Sequence, residues 1–143
     1  MTSIRVALVG YGSAGRGIHA PLLARAGAAP SLVVTASPER VEQLAADLPD
    51  AVAVPDLDAA LARRPDLVVL ASPSGVHAEQ ALACVRAGVA FVVDKPLAVD
   101  AVGARQVVDA AAAAGVALTV FQNRRWDAEN LTLARLLQQR ALG

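Results

Sequence analysis

Cysteine is almost missing from this chain of 143 residues: Cys84 stands alone, so no internal disulfide can form and no thiolate-built zinc site is expected. Its neighbours Ala81, Leu82 and Val85 follow a helical spacing, which reads as a buried thiol rather than a reactive one. Aromatic residues make up 3% and charged residues 18%, while 55% are hydrophobic, much of that excess being alanine as in Asp109 to Ala114. An excess of charge of either sign is also lacking. Thirteen basic and thirteen acidic side chains cancel, leaving no long-range field to draw nucleic acid or an anionic membrane. No apolar run is long enough to span a bilayer. Met1 to Arg5 leads straight into a strand without a basic leader and greasy segment, so a cytoplasmic protein is expected.

What is present is an alternation of β-branched runs with alanine-rich stretches of helical period. Strands are predicted at Ile4–Val9, Leu32–Ala36, Ala51–Val54 (on the edge side), Leu67–Ala71, Val89–Val93 and Val116–Phe121. Helices are predicted from the Gly10–Gly15 turn to about Ala26, then at Pro38–Leu48, Asp56–Arg63, Gly75 or Val76 to Arg86, Val99–Ala114 and Ala128–Gln139. Pro38 suits a first helical position, and Gly88 and Gly115 suit helix stops. Strands that are apolar throughout, rather than alternating, indicate a parallel sheet covered on both faces. The fold class is therefore α/β, a doubly wound parallel sheet in three layers, with residues 1–143 as one domain.

The motif that carries chemistry is Gly10-Tyr11-Gly12-Ser13-Ala14-Gly15, a G-x-G-x-x-G that follows a strand and opens a helix. Gly10 permits the tight turn, Gly12 lets backbone approach a pyrophosphate, and Gly15 lets helix and strand pack closely. The helix start offers unpaired N–H groups to the phosphates. A plain structural turn would carry the same glycines, but the surrounding βαβ unit points to a bound dinucleotide. No Gly-Lys-Ser or Gly-Lys-Thr closes the loop, which excludes a P-loop. At the end of the second strand, where an acidic residue would accept ribose hydroxyls, stands the uncharged Thr35. Ser37 can donate to a 2′-phosphate and Arg40 can pair with it, which favours NADP over NAD. As plain structure, Ser37 is a helix N-cap and Arg40 a solvated arginine.

Ligands of such sheets lie beyond the carboxyl ends of the strands. Ser72, Pro73 and Ser74 follow the fourth strand and wall the adenosine half of a cofactor, with His77 next in line as a cap, a packing group or a contact. His19 lies in the helix after the glycine turn. Asp94-Lys95-Pro96 follows the fifth strand: Lys95 can hydrogen-bond a substrate hydroxyl or stabilise an alkoxide, with Asp94 pairing to orient it, or the two form an exposed salt bridge beside a turn. Phe121-Gln122-Asn123-Arg124-Arg125-Trp126 follows the sixth and makes a polar, aromatic-walled surface suited to anions or sugar hydroxyls.

Together these motifs closely resemble the Gfo/Idh/MocA oxidoreductases, the group of glucose–fructose oxidoreductase and inositol dehydrogenase. The resemblance spans essentially the whole chain: Gly10-Tyr11-Gly12 with Gly15-Arg16 and His19, Ser72-Pro73-Ser74 through His77, Ala87-Gly88, and Asp94-Lys95-Pro96 in place of the family's Glu-Lys-Pro. Gln122 to Trp126 is similar to a sugar- or polyol-type subgroup. The resemblance implies an NAD(P)-binding Rossmann domain, Lys95 beside nicotinamide and substrate, a cis bond before Pro96, and Asn123 and Arg124 near the nicotinamide end. It also implies a second α/β domain that binds the small-molecule substrate, supplies an Asp and His pair and forms much of an oligomer interface. No such domain follows Gly143, so a truncated nucleotide-binding domain and a natural short relative both stay open. The implied activity is hydride transfer between NAD(P) and a sugar- or polyol-like alcohol, with weak turnover by this chain alone. The competing readings are a non-catalytic NAD(P)-binding regulatory module and a self-associating scaffold that buries Trp126, Leu131, Leu133, Leu136 and Leu137. FAD, S-adenosyl and CoA ligands remain cofactor alternatives.

Overall fold

A computed structural model describes residues 4–141; the predicted leaderless start at Met1 to Ser3 and the chain end at Gly143 lie outside them. Six strands, β1 (Val6–Val9), β2 (Pro30–Val34), β3 (Val52–Val54), β4 (Leu67–Leu70), β5 (Ala90–Asp94) and β6 (Leu118–Phe121), form one sheet in the order β3-β2-β1-β4-β5-β6. Every pairing is parallel. The helices are α1 (Ala20–Arg25), α2 (Pro38–Asp47), α3 (Leu57–Leu61), α4 (His77–Ala87), α5 (Ala101–Ala114) and α6 (Ala128–Gln138). This is the Rossmann-like order, with a switch point between β1 and β4 where the connections diverge.

Alternation along each strand divides the core in two. Ala7, Val9, Val68, Leu70, Phe91 and Val93 face one side with Leu57 and Ala60 of α3, Ala81, Cys84 and Val85 of α4, and Val107 and Ala111 of α5. Val6, Leu8, Val33 and Val69 face the other side with Tyr11, Ala20 of α1 and Leu44 of α2. Apolar side chains on both faces of the central strands are what a sheet sandwiched by helices demands. Cys84 is fully enclosed, and burial pushes its thiol up to about 12, so it packs rather than reacts.

Several predicted boundaries move for identifiable reasons. Val89 and Val116 were expected to open strands; instead their amides close the preceding helices on the Cys84 and Ala111 carbonyls, both at 3.0 Å. The second strand begins at Pro30, two residues early, because a proline in a first strand position need not forfeit a ladder bond. The first helix departs most: Gly15–His19 forms a wide π-turn before α1. Pro21 has no N–H to give the Gly17 carbonyl and its ring would crowd that group, which the wider turn accommodates.

The turn between β1 and this helix is packed without slack. A Cβ on Gly10, at φ +95°, would lie 2.8 Å from the Ala71 carbonyl oxygen, and one on Gly15 would overlap the Gly10 carbonyl. Gly12 has only the Arg40 guanidinium nearby, at 3.8 Å. Gly15→Ala is therefore expected to cost more than about 2 kcal/mol in urea unfolding, and Gly12→Ala to stay within about 0.5 kcal/mol of the parent.

Candidate functional site

A parallel sheet delivers every strand-to-helix loop to one edge, and that edge collects Gly10–Gly15, Thr35–Arg40, Ser72–Ser74, Asp94–Pro96 and Gln122–Arg124. The glycine loop opens with Gly10 N–H donating to the Val34 carbonyl at 3.1 Å, and Arg16 N–H returns to Gly12 at 2.8 Å. Among the described residues, the amides of Gly12, Ser13 and Ala14 have no backbone acceptor outside regular elements. They are the orphan donors of a helix start and suit an anion.

Beside the loop lies an open cleft of about 750 Å³ between the α1 and α2 helices. Gly12, Ser13, Arg40 and Glu39 line its upper end, and Arg16 and Asp47 its lower. Arg40 is exposed and makes no ion pair among the described residues. Ser37 occupies the N-cap position of α2 but its hydroxyl makes no cap bond, so it is free for other acceptors. Thr35 is enclosed, and its Oγ1 has no hydrogen-bond partner among the described residues. A cation unpaired among the described residues, orphan amides and an unfilled Gly12 cradle together fit the phosphates of a dinucleotide.

On the other wall, His77 takes the packing role among those open to it, and Asp94 departs from expectation. His77 does not face the cleft: it is 1% exposed, with Nδ1 2.7 Å from the Pro96 carbonyl and Nε2 2.8 Å from that of Ser72. Its ring packs between the loops after β4 and β5, with its N–H donating to one of these carbonyls, and Ser72 is held further by donating to Gln80. Asp94 does not orient the Lys95 ammonium. Its Oδ1 accepts the Lys95 backbone N–H at 2.8 Å, and its Oδ2 faces His19 Nε2 at 3.5 Å. The strand pleat explains this: Asp94 shares a sheet face with Val92, the face that α1 covers, so its carboxylate points under the helix. Lys95 is thereby left exposed and unpaired among the described residues, and its bond to Pro96 is cis.

His19 is buried, with its ring tilted against Phe121 at a centroid distance of 4.6 Å. Burial lowers its pKa, and Asp94 opposes that only in part; Nε2 makes no hydrogen bond. Asn123 and Arg124 sit in a 3₁₀ turn, Asn123–Trp126, after β6. Arg124 pairs with Asp127 at 3.0 Å and is widely exposed, as is Trp126. Among the described residues no cluster of metal-ligating side chains occurs, and no helix is long and apolar enough to cross a membrane.

One grouping was not foreseen from the sequence. The buried Tyr11 hydroxyl donates to Asp47 Oδ2 at 3.0 Å, and Arg16 grips both oxygens of the same carboxylate. Burial and the Asp47 bond push the Tyr11 phenol up to about 12, and Arg16 holds the Asp47 carboxyl below its usual range. An acid on the last residue of a helix without a basic partner in that turn was the available signal.

The pH dependence of stability follows from His19. Between its lowered folded pKa and about 6.5 when unfolded, the unfolded chain binds the extra proton, so stability falls as pH drops through that window. The urea midpoint is expected to drop more between pH 7.5 and 5.5 in the parent than in His19→Gln. Carboxyls with lowered values, such as Asp47 and Asp66, lose their contributions only at lower pH.

Comparison with known proteins agrees with this geometry. Residues 4–122 match the oxidoreductase family Gfo/Idh/MocA, described as an NAD-binding Rossmann fold. The chain is 35% identical over 142 residues to scyllo-inositol 2-dehydrogenase (NADP(+)) IolW of Bacillus subtilis, covering 98% of this chain and 39% of that protein. It is 38% identical over 146 residues to inositol 2-dehydrogenase of Mycolicibacterium gilvum, covering 100% and 42%. The WlbA dehydrogenase of Bordetella pertussis, solved in complex with NADH and UDP-GlcNAcA, superposes with a TM-score of 0.86 at 30% identity, covering 96% of this chain and 43% of that one. The chain thus spans about two fifths of the length of these relatives. It belongs to the Gfo/Idh/MocA oxidoreductase family, as that family's NAD(P)-binding domain.

Proposed function

We propose that this chain is the cofactor-holding part of an NAD(P)-dependent oxidoreductase that moves hydride between nicotinamide and a sugar- or polyol-like alcohol or carbonyl. The observation that carries the reading is the pairing of an open glycine cradle at the end of β1 with a Lys95 at the end of β5 that is exposed and, among the described residues, unpaired. The orphan amides of Gly12, Ser13 and Ala14 hold the pyrophosphate, with Gly10 and Gly15 shaping the turn. Ser72, Pro73 and Ser74 wall the adenosine side, and His77 holds that wall against the Pro96 loop. When bound, nicotinamide supplies the hydride donor or acceptor. Lys95 Nζ donates to the substrate oxygen and stabilises negative charge there as the carbon is oxidised or reduced. Asp94 fixes the Lys95 backbone, while Asn123 and Arg124 border the nicotinamide end.

NADP is favoured over NAD. The position where a carboxylate would repel a 2′-phosphate carries Thr35, and Arg40, exposed and unpaired among the described residues, stands at the rim of the cradle. The Bacillus subtilis relative named for NADP(+) supports the same preference. Substrate is held by protein beyond this chain. An unfilled concavity over Val92, Thr119, Phe121 and Trp126, on the side of the sheet that α1 covers farther in, is the surface such protein would cover. The inositol dehydrogenase names among the relatives support the polyol class.

Calorimetric titration is expected to give tighter binding of NADP than of NAD. Gly12→Ala should weaken both by about tenfold or more, because a methyl intrudes where backbone meets pyrophosphate. Arg40→Ala should weaken NADP about tenfold to a hundredfold, from loss of a charge-assisted hydrogen bond, and leave NAD within about twofold. Equal affinities for both cofactors in the parent would end the NADP preference.

A further inference from the structure

The cleft between the α1 and α2 helices contains a network that direct cofactor contact does not account for. Arg40, Gln43 and Asp47 all line this cleft, at spacings of three and four residues that put them on one stripe of α2. At one end of the stripe Arg40 reaches the glycine loop, 3.8 Å from where a Gly12 Cβ would stand. At the other end Asp47 receives the Tyr11 hydroxyl at 3.0 Å and the Arg16 guanidinium through Nε and Nη2. Tyr11 belongs to the glycine loop itself and Arg16 to the first turn beyond it. The loop is therefore tied to the far end of the helix whose near end carries the free cation.

Both charged members sit where helix electrostatics disfavours them. Asp47 is the last residue of α2, at the negative end of that helix dipole, and Arg16 lies near the positive start of the glycine helix. Each is offset by the other, and breaking the pair would restore two local penalties. A bidentate guanidinium–carboxylate pair also fixes direction as well as distance. Arg16, although one turn from the orphan amides, has its charge spent on Asp47, which leaves Arg40 as the unpaired cation at the rim. The Tyr11 ring is 1% exposed and packed with Leu8, Val33 and Leu44, so its hydroxyl is a rigid post rather than a mobile one.

We propose that Tyr11 and Arg16, acting through Asp47, are positioning residues that set the register of α2 against the glycine loop and so hold Arg40 where it discriminates the 2′-phosphate of NADP. This rests on the NADP reading above. In this role the three act through the helix and not by contact with the 2′-phosphate.

The test is titration of the purified chain with NADP and NAD for the parent, Tyr11→Phe, Asp47→Asn, Asp47→Glu, Arg40→Ala and the double variant Arg40→Ala/Asp47→Asn. Circular dichroism checks each fold, and Tyr11→Phe keeps the buried ring if Asp47→Asn does not fold. Tyr11→Phe and Asp47→Asn are expected to lower the NADP-to-NAD affinity ratio about threefold to tenfold while leaving NAD within twofold. Asp47→Glu should recover part of the ratio, and Asp47→Asn should have little further effect once Arg40 is gone. Parallel loss of both cofactors, or additive effects in the double variant, would overturn the positioning role. If Arg40→Ala itself leaves NADP binding unchanged, the NADP reading falls and this inference with it; if Arg40 matters and the Asp47 and Tyr11 variants keep the parent ratio, only this inference falls.

Discussion

The whole site depends on one close approach, the crowding of the glycine turn against the end of β4 and against itself. Gly10 leaves no room for a side chain before the Ala71 carbonyl, and Gly15 none before the Gly10 carbonyl. These two contacts pin the helix start to the centre of the sheet, at the point where the strand order diverges. Gly12, between them, is the only member of the motif whose missing side chain leaves space toward the cleft. Two glycines therefore serve packing, and the third is left open to the cleft where the proposed cofactor would lie. The same six-residue motif thus holds a structural demand and a proposed functional one that mutation can separate.

The fold was readable because its signals are redundant. The central strands are apolar on both faces, most helices carry a start or stop residue, and short right-handed crossovers leave only a few strand orders for six such units. Boundaries were less readable where one residue type serves two purposes. Val89 and Val116 are strong strand formers, yet both are used to close the helix before them. The π-turn at Gly15–His19 was hidden for a similar reason. Helical periodicity cannot register a wider turn, although Pro21 with Gly17 four residues earlier was the local cause.

The site was legible in its positions and less so in its partnerships. Strand ends located the loops correctly, since a parallel sheet leaves no alternative. Side-chain partners depend on which face a residue takes, and there the pleat decides. Asp94 shares the face of Val92, so its carboxylate meets His19 instead of Lys95. His77, at a helix start, turns inward between two carbonyls instead of toward the cleft. Asp47 passed unnoticed because acidic residues on exposed helices are ordinary. Only its place at the helix end, with no base in the same turn, set it apart.

The absence of net charge gives these local arrangements their weight. A chain with a strong positive field would attract an anionic cofactor wherever the surface allowed, and individual pairings would matter little. Here thirteen charges of each sign cancel, so attraction must come from particular groups left unpaired. Arg16 and Arg124 are each paired with an aspartate, whereas Arg40 after β2, Lys95 after β5 and Arg125 after β6 are unpaired among the described residues. Neutralising the first two is as much a part of the proposed site as exposing the others. An unpaired Arg16 beside the glycine loop would offer a second, misplaced anion site. With it tied to Asp47, the cations left unpaired near this edge among the described residues lie where the ends of β2, β5 and β6 put them.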